Sequence, residues 1–208
     1  MTTSNTATLA HPSFSLSIRF LGILSRCIAL PLRMVNPLMG TIKRLIFLTA
    51  AQVKLPTLHG SVQIDGPITV IGTANIEIGQ KSRLSRDVEL GTEENGNIKI
   101  GESVRINRGT TLFAYKEIVI GDHTLIGEFV SIRDANHGIA PDKLVRSQGH
   151  DSKAITIGRD VWIGRGSVIL PGVSIGDGCI IGANSVVTKS IEAGMIAVGT
   201  PATPVRHR

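Results

Sequence analysis

An aliphatic residue returns every six positions along most of this chain. The cleanest run is Ile157, Ile163, Ile169, Ile175, Ile181 and Val187. Four positions after each of the first five stand Val161, Ser167, Val173, Cys179 and Ser185, all small. Ile-Gly pairs recur from Ile71-Gly72 to Ile181-Gly182. A period of six fits neither the 3.6 of a helix nor a free-standing strand alternation, and a repeat of this kind settles architecture before local propensity does. The hexads group in threes: Ile78, Leu84, Leu90; then Ile100, Ile106, Leu112; then Ile120, Ile126, Ile132; then Ile157, Ile163, Ile169; and last Ile175, Ile181, Val187. Extra residues fall between the sets and not within them. The spacing predicts an all-β, three-sided parallel β-helix of about five to six coils. Each side is one short strand with its aliphatic residue inward, and strands of successive coils lie about 4.8 Å apart. Gly is expected at the turns, where it tolerates unusual backbone angles.

Such a core needs few aromatics, and only 3% of the chain is aromatic against 42% hydrophobic. Two cysteines, Cys27 and Cys179, define no disulfide framework and point to a reducing compartment. Cys179 occupies a small inward slot and reads as packing, not as a nucleophile. The net charge of +6 is uneven: no Asp or Glu precedes Asp65, while Arg19, Arg26, Arg33, Lys43, Arg44 and Lys54 do. The remainder is balanced, which argues against a broad nucleic-acid surface.

Three segments follow: a basic amphipathic stretch over 1–55, the β-helix over 56–199, and a tail over 200–208. Within 14–53, Arg19, Arg26 and Arg33 are seven apart, and Leu16, Phe20, Ile23, Leu24 and Ile28 can share another helix face. Within 14–53 no stretch of 18 residues is free of charge, so a transmembrane span is not expected there. A basic, apolar-faced helix fits peripheral contact with anionic lipid; packing on the protein itself is the alternative.

The regularity breaks at Ser131–Asp142, SIRDANHGIAPD. The hexad of Ile132 closes at His137, and the next opens only at Ile157. Residues 138–156 therefore form an excursion at one corner, with His137 at its edge. Imidazole titrates near neutral pH and suits a general base.

The hexads resemble those of the hexapeptide-repeat acyltransferases. The series VWIG, PGVSIG, IGANSVVTK and GTPA between Ile157 and Arg206 is more specific. It is similar to the galactoside and maltose O-acetyltransferase branch and to the polysaccharide O-acetyltransferases of bacterial cell-surface pathways. The resemblance covers about residues 60–206. It implies a left-handed β-helix, a homotrimer with active sites between subunits, and acetyl-CoA as acyl donor. On it His137 matches the catalytic His and Asn107 the acceptor-binding Asn. Trp162, Ala183, Thr188, Lys189 and Arg206 match positions lining the CoA groove. Two positions depart from that branch: Tyr115 stands where it places an Asp, and Thr203 where it places a second Arg. Tyr115 is a candidate to stack on a sugar ring. Asp134 and Glu128 are candidates to orient His137. A metal site is not expected, since the paired His spacing of the carbonic anhydrases that share this prism is missing.

The resulting expectation is an O-acetyltransferase acting on a carbohydrate in cell-surface polysaccharide or lipopolysaccharide assembly, cytoplasmic or peripheral on the inner face of the membrane. The alternatives are N-acetylation of an amino sugar, O-acetylation of a small free acceptor, and a non-catalytic trimeric scaffold.

Overall fold

The computed structural model describes residues 39–93 and 95–208. The arginines and apolar residues expected to form an amphipathic face before residue 39 lie outside the described residues. The chain divides into two units between Ile42 and Lys43, and the second, Lys43–Arg208, is described here.

Three parallel sheets form the sides of a solenoid. Side A carries β1 (Gln63–Ile64), β4 (Arg83–Leu84), β7 (Arg105–Ile106), β10 (Leu125–Ile126), β15 (Trp162–Ile163), β18 (Ile180–Ile181) and β20 (Met195–Gly199). Side B carries β2 (Ile68–Gly72), β5 (Val88–Thr92), β8 (Thr111–Ala114), β11 (Ser131–Arg133), β16 (Val168–Ile169) and β19 (Val186–Val187). Side C carries β3 (Ile76–Ile78), β6 (Asn97–Ile100), β9 (Glu117–Ile120), β14 (Ile155–Ile157) and β17 (Ser174–Ile175). The chain visits A, B and C in turn, so each strand pairs with its counterpart one coil later. Two strands leave this order as a hairpin between sides B and C: β12 (Ala135–His137) and β13 (His150–Ser152). A last strand, β21 (Ala202–His207), pairs antiparallel with β20 and closes side A.

The solenoid has about seven turns where the hexads suggested five to six. The extra turns sit where the pattern is weak. The first coil turns Ile64, Val70 and Ile76 inward, and the last uses Ile191 and Ala197. The Ile71-Gly72 pair is out of phase: Val70 is buried, and Ile71 is 38% exposed. Elsewhere the expected inward residues form the core, with Leu84, Leu90, Ile106, Leu112, Ile163 and Ile169 at 0% exposure. Each such side chain contributes roughly 1.5–3 kcal/mol of burial.

The glycines of the Ile-Gly pairs serve a purpose the period alone did not show. A Cβ on Gly121 would stand 2.6 Å from the Gly158 carbonyl carbon, and one on Gly164 would stand 2.5 Å from Ala183 N. The next coil passes directly overhead, so only hydrogen fits. The left-handed turn comes two residues later, at Lys81, Ser103, His123, Phe129, Asp160, Gly166, Gly178 and Asn184. The small inward slot also does more than fit. Ser82, Thr110, Thr124 and Ser167 donate their hydroxyls to the carbonyls of Gly101, Gly127, Gly158 and Gly182 at 2.8–2.9 Å. These bonds tie successive coils together at the corners.

Helix α1 spans residues 39–54, and its part from residue 43 onward belongs to this unit. Phe47, Leu48 and Ala51, with Leu55 just beyond, form an apolar stripe packed on the core, and Pro56 stops the helix. Arg44 and Arg83 both hold the Asp65 carboxylate, Arg44 at 3.0 Å.

Candidate active site

The excursion begins earlier than the spacing implied. The chain leaves the prism at Ala135 and is back on side C by Ile155, which is fully buried and pairs with Ile118. His137 is therefore not the last residue of a coil. It lies on β12, outside the prism and exposed. The base of the hairpin is fastened by Lys153 N donating to Asp134 O at 2.8 Å. Its far loop is drawn together by Gln148, which accepts from Ala140 N at 2.8 Å and donates to Ala140 O and Lys143 O at 3.1 and 3.2 Å.

Three rings meet at this corner. His150 lies opposite His137 on β13, with ring centroids 4.5 Å apart. The Tyr115 ring lies 4.2 Å from His150. Tyr115, expected to meet an acceptor, thus joins the His137 cluster, and the face it turns to His150 is taken. His150, to which the sequence assigned no role, is the functional candidate that sequence reasoning missed.

Within one chain, neither proposed carboxylate is hydrogen-bonded to His137 among the described residues. Asp134 is fully buried, and its two oxygens accept the backbone N–H groups of Tyr115, Lys116 and Glu117 at 2.7–2.8 Å. It builds the turn that carries Tyr115. Glu128 stands at another corner, where side A passes to side B. There it lines a groove of about 470 Å³ with Asn107, Trp162, Arg165 and Ala183. Gly127, Gly164 and Gly182 line the same groove. Asn107 and Glu128 also line an adjoining recess with Arg86 and Arg108. Arg165 and Arg108 carried no signal in the hexad pattern beyond being charged residues at a corner.

The expected site residues fall in separate places. Asn107, Trp162 and Ala183 share the A–B groove. His137 and Tyr115 share the B–C corner. Thr188 and Lys189 are exposed directly after β19 on side B. Arg206 is exposed on β21, its guanidinium donating to the His207 carbonyl at 3.1 Å. Cys179 is buried in the core, its thiol donating to Glu192 O at 2.9 Å.

Residues 154–189 match the family described as bacterial transferase hexapeptide (six repeats). The chain is 38% identical over 105 residues to a galactoside O-acetyltransferase of Lactococcus lactis, spanning 50% of each chain. The first relatives it matches are spanned over only about half their length. It is 30% identical over 152 residues to the candidate lipopolysaccharide biosynthesis O-acetyl transferase WbbJ of Escherichia coli, covering 67% of this chain and 76% of that one. A solved structure of the N-acyltransferase AntD of Bacillus cereus, in complex with dTDP and coenzyme A, superposes with a TM-score of 0.62 at 25% identity over 71% of this chain and 81% of that one. The fold is the left-handed parallel β-helix of these neighbours. With the repeat, the coil architecture and the WbbJ match in agreement, the chain belongs to the bacterial hexapeptide-repeat transferases.

Proposed function

We propose that this protein transfers an acetyl group from acetyl-CoA to a hydroxyl of a carbohydrate used in cell-surface polysaccharide or lipopolysaccharide biosynthesis, with His137 as general base. The observation that carries this reading is the position of His137, exposed on a hairpin outside a rigid prism. There an imidazole reaches solvent and substrate while its backbone is held. The imidazole removes the acceptor proton as the hydroxyl oxygen bonds to the thioester carbonyl carbon. The carbon–sulfur bond then breaks, and the proton passes to the departing thiolate. The A–B groove, lined by Trp162 and Arg165, suits the acyl donor's arm. Thr188, Lys189 and Arg206 extend the donor contact, the two cations toward its phosphates. Asn107 binds the acceptor.

The separation of the two site halves favours assembly. The B–C corner of one subunit, carrying His137 and Tyr115, completes the A–B groove of the next in a homotrimer. Among the described residues no helix is long and apolar enough to cross a membrane. The acid-free stretch before Asp65 supports peripheral attachment at the inner face of the membrane, where lipid-linked acceptors are made. Vesicles with anionic lipid should bind the full chain and lose it when residues 1–38 are removed.

The experiment is acetyl-CoA consumption measured across lipid-linked glycans, free sugars and amino sugars, with wild type and His137→Ala. Transfer to a lipid-linked or free glycan hydroxyl, abolished by His137→Ala, is the expected result. Undiminished transfer by His137→Ala overturns the assignment of the base. Preference for an amino sugar, the class of acceptor that an N-acyltransferase relative brings forward, overturns the O-acetyl reading.

A further inference from the structure

We infer that His150 is a positioning residue that sets the orientation of the His137 imidazole by stacking, with Tyr115 as the backstop. The inference rests on His137 being the base.

The hairpin explains why these rings meet. Gly138 N donates to Gly149 O and Lys153 N to Asp134 O, each at 2.8 Å. Hydrogen-bonded and non-hydrogen-bonded rungs alternate in an antiparallel pair. The His137–His150 rung lies one step from the first of these bonds and three from the second, so it is a non-hydrogen-bonded rung. Side chains stand closest on such rungs. The two imidazoles are tilted by 41° and Tyr115 and His150 by 35°, so the three rings pack in a tilted row with His150 in the middle.

The stack answers a problem that the exposure of His137 creates. An exposed imidazole on a two-stranded hairpin turns freely about its side-chain bonds, and only some of those orientations can take a proton from an acceptor. His150 removes that freedom from one side. Tyr115 packs against it in turn and limits its swing, with ring centroids 4.2 Å apart. Tyr115 is in turn fixed to the prism, its amide held by the buried Asp134 carboxylate at 2.7 Å. Orientation thus passes from the core, through Asp134, Tyr115 and His150, to His137. The role belongs to the ring of His150 and not to its nitrogens, so another flat ring should substitute for it.

The test uses the full chain with His150→Ala and His150→Phe, read in two ways. The first needs no acceptor: the Cε1–H resonance of His137, assigned by its loss in His137→Gln, is followed at one pH. Ring current from a stacked neighbour displaces it in wild type. It should shift toward that of a free imidazole in His150→Ala and remain displaced in His150→Phe. The second is turnover. His150→Ala should lower kcat by about ten- to a hundredfold, as misorientation does, with KM for acetyl-CoA unchanged, and His150→Phe should restore most of it. An unmoved His137 resonance in His150→Ala overturns the inference, as does a His150→Phe enzyme as slow as His150→Ala. Transfer retained by His137→Gln removes the catalytic reading instead and leaves the resonance comparison to decide the stack by itself.

Discussion

Asp134 Oδ1 accepts the Tyr115 amide at 2.7 Å, and its Oδ2 accepts those of Lys116 and Glu117 at 2.8 and 2.7 Å. One buried carboxylate thus shapes the turn between β8 and β9 in one coil while sitting at the foot of the hairpin in the next. Asp134→Asn replaces one acceptor oxygen by a donor and leaves at least one backbone N–H facing it. Thermal or urea unfolding should show a loss of about 3 kcal/mol, given the charge-assisted bonds involved. Tyr115 should shift with it and transfer should fall. An unchanged midpoint would show that the turn holds without the carboxylate.

Gly164 and Gly60 separate close approach from mere flexibility. A Cβ on Gly164 would lie 2.5 Å from backbone of the next coil, whereas one on Gly60 would meet nothing within 4 Å. Gly164→Ala should destabilise by roughly 1–3 kcal/mol through overpacking and disturb the groove above it. Gly60→Ala should be close to neutral. Paired melting curves check both.

Cys179 should be dispensable for chemistry. Its thiol is buried and already donates to Glu192 O, and a serine hydroxyl can make the same bond. Cys179→Ser should fold and retain wild-type turnover. The native thiol should resist alkylation until the protein unfolds. Loss of transfer in a folded Cys179→Ser would reopen an acyl-enzyme route.

Gln148 should control the excursion without controlling the fold. Its three hydrogen bonds all close on the loop's own backbone. In Gln148→Ala, amide exchange should accelerate across residues 138–149 while the prism strands keep their protection, since local opening draws on local contacts. The unfolding midpoint should barely move.

The period of six made most of the prism legible, because a packed three-sided core admits one inward residue per side and punishes any departure. What it could not show was whatever depends on the neighbouring coil. Gly164 reads as a turn residue in one dimension and proves to be a clearance under Ala183. Ser167 reads as small and proves to be the partner of a corner carbonyl. The first coil was missed because Ile71, next to a glycine, looked more regular than Val70, which does the packing. His137 was legible from the broken repeat and the family motif. His150 was not, since hairpin register is set by three-dimensional closure. The glycines at 138 and 149, placed symmetrically about the loop, were the one available hint. Asp134 was close enough in sequence to suggest a link to His137, yet the strand carries its carboxylate into the prism and the next two residues carry the chain out.

The hairpin is anchored to the prism at its foot, where Lys153 N donates to Asp134 O and Gly172 N donates to Lys153 O, and by the ring contact of Tyr115 with His150. Nothing in the stacking of the coils depends on how many residues lie between β12 and β13. The segment is therefore an exchangeable cassette. A lineage can lengthen, shorten or recompose it, and so try new acceptors, while the scaffold and the rung that bears His137 and His150 stay in register.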